Sequence, residues 1–314
     1  MSDKLPNFLI VGAAKSGTTS LYHYLTQHPD IFMSPVKEPL FLSAQGTEES
    51  RLEKEFFPVP LDRITRDFGE YRELFTAAVH ESALGESSVY YLYDYEKTIA
   101  NIKRYIPDWK NLKILMILRN PVDASFSHYM MYSQYMTHFL GMKDIPSFAE
   151  SFRLEEERIR DGYVALAHFH WFFYSRQVEA YLSSFDRVKI LLQSDLITEP
   201  ERVVREIFGF LSVDDTFAPS NTGDSFNVSG IPKSGFLYRF LAQESLAKKF
   251  LRPAVRLLFP GDGYKKLVNR AWSKNLSKPE MSPEMRVRLA GYYRDDILKL
   301  QDLIGRDLGH WLST

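Results

Sequence analysis

The chain contains no cysteine. A disulfide framework, a thiolate nucleophile and a cysteine-ligated metal cluster are therefore excluded, and the redox compartment is left open with the cytoplasm favoured. It also lacks an apolar run approaching the roughly 18–20 residues that a membrane span needs, so no transmembrane segment is expected. Neither sign of charge is in excess: 39 Lys and Arg face 40 Asp and Glu, for a net charge of -1. That is not the basic balance of a general nucleic-acid binder. No basic-then-apolar leader stands before the first strand pattern, which makes a cytoplasmic protein the expectation. Internal repeats and low-complexity linkers are missing too. What remains is an ordinary globular composition, 314 residues with 45% hydrophobic, enough to fill the core of one large α/β domain.

Strand and helix patterns alternate along most of this length. Strand patterns fall at residues 8–11, 31–33, 83–86, 113–118 and 188–193, and "KILMIL" at 113–118 is apolar enough to be buried on both faces. Helical patterns fall at 18–27, 69–76, 95–105, 122–135, 148–161, 171–185, 201–211 and 283–304. The alternation predicts a three-layer α/β/α fold around a mostly parallel sheet, with ligands bound at the carboxyl ends of the strands. The expected organisation is a single domain over 1–314, with a core at about 7–235 and a helical C-terminal substrate or cap region at about 236–314.

The first strand runs into "GAAKSGTTSL", a glycine-bracketed turn followed by a helix pattern. Such a turn aims backbone N–H groups and a positive helix end at an anion. In a nucleoside triphosphate loop, G-x-x-x-x-G-K-[ST], a lysine follows the second glycine. Here Gly12 and Gly17 keep that spacing, Thr18 takes the lysine's position, and Lys15 lies inside the loop. The buried strand 113–118 is followed by Arg119-Asn120-Pro121, where a metal-dependent NTPase has an aspartate for Mg²⁺. A cation there suits an additional phosphate on a nucleotide better than it suits a metal.

These two motifs carry a family resemblance. "GAAKSGTTSL" resembles the 5′-phosphosulfate loop, and "RNPVDASFSHY" the 3′-phosphate motif, of sulfotransferases that use 3′-phosphoadenosine 5′-phosphosulfate (PAPS). Arg119 and Ser127 stand eight residues apart in the second motif. "HPDIFMSPVKEPLFL" is similar to the segment that bears a glutamate after the second strand, "LLQSDLITEPERVVREIFGFL" to the later strand and helix, and "NVSGIPKSG" to the nucleotide-covering loop. The resemblance implies a P-loop-nucleotide-hydrolase-like sulfotransferase fold, PAPS as co-substrate and no metal. It implies nucleotide contacts from Lys15, Ser16, Gly17, Thr18, Thr19, Ser20, Arg119 and Ser127. "GESSVYY" departs from glycan-modifying relatives, which often have a lysine where Ser87 stands; Lys233 and Ser234 are the expected substitutes.

Sulfuryl transfer also needs a base for the acceptor hydroxyl. Glu38, in "VKEPLFL", matches the glutamate with that role in glycan-type members, and its structural alternative is an ion pair with Lys37 or Arg119. His168 and His170, in "LAHFHWFFY", are the other candidates, since histidine titrates near neutrality, although neither matches the histidine motif of small-molecule sulfotransferases. A solvated loop lysine is the structural alternative for Lys15, and a sheet-end ion pair for Arg119. At the level of function, the alternatives are a variant P-loop kinase or NTPase and a non-catalytic binder of 3′-phosphoadenosine nucleotides. The acceptor is expected to be a small hydroxylated lipid or metabolite, or a β-hydroxyacyl chain on an acyl carrier protein as in polyketide-synthase sulfotransferase domains. The tyrosine and methionine stretch "SHYMMYSQYMTHFLGM" is either an apolar acceptor lining or core. Between Phe236 and Lys274 lie nine Lys and Arg residues against only Glu244 and Asp262, which reads either as a solvated helix face or as a dock for an acidic partner.

Overall fold

The computed structural model describes residues 4–138, 140–220, 231–232, 276–277 and 279–313. In chain order the elements are β1 (Phe8–Gly12), α1 (Thr18–Leu25), β2 (Ile31–Met33), α2 (Phe41–Ala44), α3 (Glu49–Phe56), α4 (Phe68–Glu73), β3 (Ala83–Ser87), α5 (Tyr90–Tyr93), α6 (Tyr95–Tyr105) and β4 (Lys113–Leu118). There follow α7 (Pro121–His138), α8 (Phe148–Arg153), α9 (Glu155–Arg160), α10 (Tyr174–Ser184), β5 (Val188–Leu192), α11 (Gln193–Thr198), α12 (Pro200–Leu211), the short pair β6 (Ile231–Pro232) and β7 (Leu276–Ser277), and α13 (Pro283–Ile304).

The five main strands form one sheet in the order β2-β3-β1-β4-β5, with every pairing parallel. A strand side chain points to alternate faces, and the core divides accordingly. Leu9 and Val11 of β1 join Ile114, Met116 and Leu118 of β4 on one face, packed with α6, α10 and α13 through Ile102, Tyr181, Tyr293 and Ile297. Phe8 and Ile10 join Leu115 and Ile117 on the other, against Leu21 and Leu25 of α1 and Val204, Ile207 and Phe208 of α12. The result is the expected three-layer sandwich. Gly85 is required where β3 passes β1, because a Cβ there would lie 2.1 Å from the Phe8 ring.

Several boundaries differ from the sequence reading. The single helix expected at 148–161 is two, α8 and α9, meeting at Leu154. Ser147 and Glu150 form a capping box at the start of α8. The helix expected from 171 begins at Tyr174, because His170–Phe172 is a 3-10 turn. The helices α2, α3, α5 and α11 had no counterpart in the periodicity; two of them are four residues long. Among the described residues no helix is long and apolar enough to cross a membrane. The C-terminal helix shares the larger core, burying Leu289, Tyr293, Ile297 and Leu300.

Strand order decides where a ligand can sit. From β1 the chain leaves toward β2 on one side, and from β4 toward β5 on the other. The loops after β1 and β4 therefore diverge and open a crevice between them, the switch point at which α/β sheets bind ligands.

Candidate active site

The β1 loop returns to its neighbour strand through Ala13 N–H, which donates to Ile117 O at 2.8 Å. Gly17 then caps α1 with φ 102°, a left-handed conformation that glycine adopts without cost. No acidic residue occupies the first turn of α1, so the positive end of the helix is directed at the crevice unneutralised. Ser16 is buried, with its Oγ donating to Ala14 O at 3.3 Å. Thr18 is buried in the first turn, with Thr19 and Ser20 half-buried beside it.

Across the crevice, Arg119 follows β4 and donates from Nη1 to Lys15 O at 3.1 Å. Gln193 Nε2 approaches the same carbonyl at 3.4 Å. The two sequence motifs thus meet at one backbone oxygen. Ser127 is buried in the second turn of α7. Asn120 Oδ1 accepts from Val122 N–H at 3.0 Å, which caps the start of α7. Tyr174 is buried beside Ser16 and Arg119; burial raises its hydroxyl, and those two neighbours pull the other way.

The Lys15 ammonium lies 3.6 Å from Met131 Sδ. Burial first, then the Arg119 and Lys37 charges, pull it down to about 8, with Glu38 acting in the opposite sense. Lys15 and Glu38 are therefore within electrostatic reach of each other. Glu38 is paired with Lys37 Nζ at 2.8 Å and is partly exposed; the structural alternative and the placement near Lys15 hold together. Lys15, Glu38 and Leu40 all have left-handed backbone, at φ 60°, 63° and 59°. Among the described residues the other such non-glycine is Ser212, which ends α12. Non-glycine residues in this region cost of order 1–3 kcal/mol each and gather at functional sites.

The two candidate histidines lie in different surroundings. His168 is buried, its Nδ1 3.0 Å from Nδ1 of His128, among the rings of Tyr129 and Tyr132. Burial, then His128 and Arg158, hold it well below the usual histidine range. The imidazole that feels Lys15 is His128, lowered to about 3 by burial and by that charge. His170 lies on the 3-10 turn against Phe173, facing the charges of Glu156 and Arg176. Lys233, Ser234 and the basic stretch 236–274 lie outside the described residues.

Sequence reasoning passed over Glu86 as a functional group. It is fully buried at the end of β3 and accepts hydrogen bonds from the hydroxyls of Tyr71, Tyr91 and Ser88, each at 2.8 Å. Burial pushes it up to about 7 against the pull of those donors. The available signal was a carboxylate at the end of the strand pattern at 83–86.

A family model described as Sulfotransferase family matches residues 6–217. The chain is 31% identical to the sulfotransferase from Alicyclobacillus acidocaldarius, whose crystal structure superposes with a TM-score of 0.71 over 99% of this chain and 100% of that one. It is 26% identical, over 99% of its own length, to the bifunctional heparan sulfate N-deacetylase/N-sulfotransferase 1 of Homo sapiens. It spans 31% of that relative's length. Over 42% of the chain it is 27% identical to the membrane-associated sulfotransferase kil1 of Dictyostelium discoideum, 24% of which is covered.

Proposed function

Since the chain belongs to the sulfotransferase family, we propose that it transfers a sulfuryl group from PAPS to an acceptor hydroxyl by in-line displacement. The observation that carries this reading is the meeting of Lys15 and Arg119 at the switch point, with Glu38 within electrostatic reach of Lys15. The positive end of α1, Lys15 and the hydroxyls of Thr18, Thr19 and Ser20 suit the 5′-phosphosulfate. Arg119 and Ser127 suit the 3′-phosphate.

The reaction then divides among this chain's own groups. Glu38 takes the acceptor proton as the new oxygen–sulfur bond forms. As the bond between sulfur and the bridging phosphate oxygen breaks, Lys15 offsets the charge gathering on that oxygen. Lys37, 2.8 Å from Glu38, fixes the carboxylate's direction. The leaving group is 3′-phosphoadenosine 5′-phosphate. A kinase or NTPase reading is disfavoured because the residue that follows β4 is Arg119 rather than a metal-binding carboxylate.

For the acceptor we favour a small hydroxylated lipid or metabolite, or a β-hydroxyacyl chain held on an acyl carrier protein. Met131 supports this, being 39% exposed and touching the Lys15 ammonium. A net charge of -1 also gives no overall attraction for a polyanionic chain.

Calorimetry with 3′-phosphoadenosine 5′-phosphate, ADP and ATP, each with and without Mg²⁺, tests the donor assignment. Preference for the first without metal is expected. Equal affinity for ATP, or a requirement for Mg²⁺, would overturn it. Glu38→Gln is expected to cut turnover by roughly 10²-fold or more while leaving nucleotide affinity nearly intact; loss of activity in His168→Ala or His170→Ala with Glu38→Gln unimpaired would reassign the base.

A further inference from the structure

The segment that carries Glu38 is an unfavourable one to hold still. It passes through left-handed backbone at Glu38 and again at Leu40, and such conformations persist only where the surroundings over-determine them. Three alternate amides are pinned. Glu38 N–H donates to Ser87 O at 2.9 Å, Leu40 N–H to Ser88 Oγ at 3.3 Å, and Leu42 N–H to Tyr91 Oη at 3.2 Å.

The last two acceptors are hydroxyls, and a hydroxyl accepts from an amide only when its own hydrogen is directed elsewhere. Both hydrogens go to Glu86: Ser88 Oγ donates to Oε2 and Tyr91 Oη to Oε1, each at 2.8 Å. A third hydroxyl, Tyr71, also donates to Oε1, and its ring stacks on Phe41 at 4.4 Å with the planes 14° apart. One buried carboxylate thus orients the hydroxyls that hold Leu40 and Leu42 and braces the residue between them. We propose that Glu86 is a positioning residue for Glu38, acting through Ser88 and Tyr91 on the backbone of residues 38–42. This rests on the role given to Glu38 above.

The test combines kinetics with amide exchange. Ser88→Ala together with Tyr91→Phe removes both relays and leaves Glu86 in place. Glu86→Gln keeps the shape but turns one acceptor oxygen into an NH₂ donor, so at least one hydroxyl must reverse. Both changes are expected to lower kcat about tenfold or more, the scale of a slightly misplaced catalytic group. KM for PAPS and affinity for 3′-phosphoadenosine 5′-phosphate should hold, because Lys15 and Arg119 are outside the relay. Hydrogen exchange at Leu40 and Leu42 should quicken. In a Glu38→Gln background the same substitutions should add nothing to the kcat loss. Undiminished kcat losses in that background, a parallel loss of nucleotide affinity, or unchanged exchange at Leu40 and Leu42 would each overturn the proposal. Glu38→Gln with wild-type turnover would instead remove the base assignment, and the exchange result would still decide whether Glu86 holds the segment.

Discussion

An ammonium held near 8 loses its proton within the range of ordinary assay buffers, and at Lys15 this gives two pH trends of opposite sign. Affinity for 3′-phosphoadenosine 5′-phosphate should fall as the pH rises from 7 to 9, because the cation facing the phosphate is lost. Calorimetry across that range checks it, and Lys15→Ala should flatten the profile. Stability should move the other way. An unfolded lysine keeps its proton to about 10.5, so between about 8 and 10.5 the unfolded chain binds more protons than the folded one and this group's contribution rises with pH. At Arg119, substitution by alanine should weaken binding of 3′-phosphorylated nucleotides by about 1.5–3 kcal/mol, the worth of a hydrogen bond to a charged group. Nucleotides without the 3′-phosphate should be little affected; equal losses for both would mean that Arg119 only holds the loop at Lys15 O. Lys15, Arg119 and Glu38 were legible in the sequence because each lies in a local motif. Glu86 and His128 were not, since what gives them meaning is burial and partners that come from distant parts of the chain.

Among the elements, the strands were the most legible, because strands buried on both faces read as continuous apolar runs. The helix expected at 283–304 keeps those bounds as α13, which Ser282 caps ahead of Pro283 and a left-handed Gly305 ends. The break between α8 and α9, and the late start of α10, were not legible. Glu155 accepts from the amides of Phe169 and His170 at 2.8 and 2.7 Å, so both boundaries depend on a tertiary contact that periodicity cannot carry. The closeness of β1 and β3 makes a test at this scale. Gly85→Ala puts a methyl group against the Phe8 ring and should destabilise the protein by about 1–3 kcal/mol in denaturant unfolding. Phe8→Leu in the same chain should return part of that loss, through the coupling expected of residues in contact. Simple addition of the two losses would show that the ring is not the obstacle.

At the scale of the whole molecule, the C-terminal segment is tied to the turn between β4 and α7 and to the first turn of α7. Arg286 pairs with Asp123 of α7 at 2.9 Å, and Asn120 Nδ2 donates to Trp311 O at 3.2 Å, so the residues around Arg119 are braced from the far end of the chain. The sequence between these anchors holds the nine cations of residues 236–274, and in a chain of net charge -1 that concentration leaves an acidic excess over the remainder. An acidic carrier protein would be drawn to such a cluster, and a free acyl group would not. The acceptor proposal therefore predicts a difference between two substrates with the same reacting hydroxyl: a β-hydroxyacyl carrier protein and the same acyl group on a short pantetheine thioester. The carrier substrate should have much the larger kcat/KM. Its advantage should shrink steeply as salt rises, because charge-assisted encounter is screened over about 10 Å at 0.1 M ionic strength. Charge reversal at Lys248, Lys249 and Arg252 should reduce the carrier reaction and leave the thioester reaction unchanged. Equal rates for both substrates at every salt concentration would remove the carrier protein from the proposal and leave a small free hydroxylated acceptor in its place.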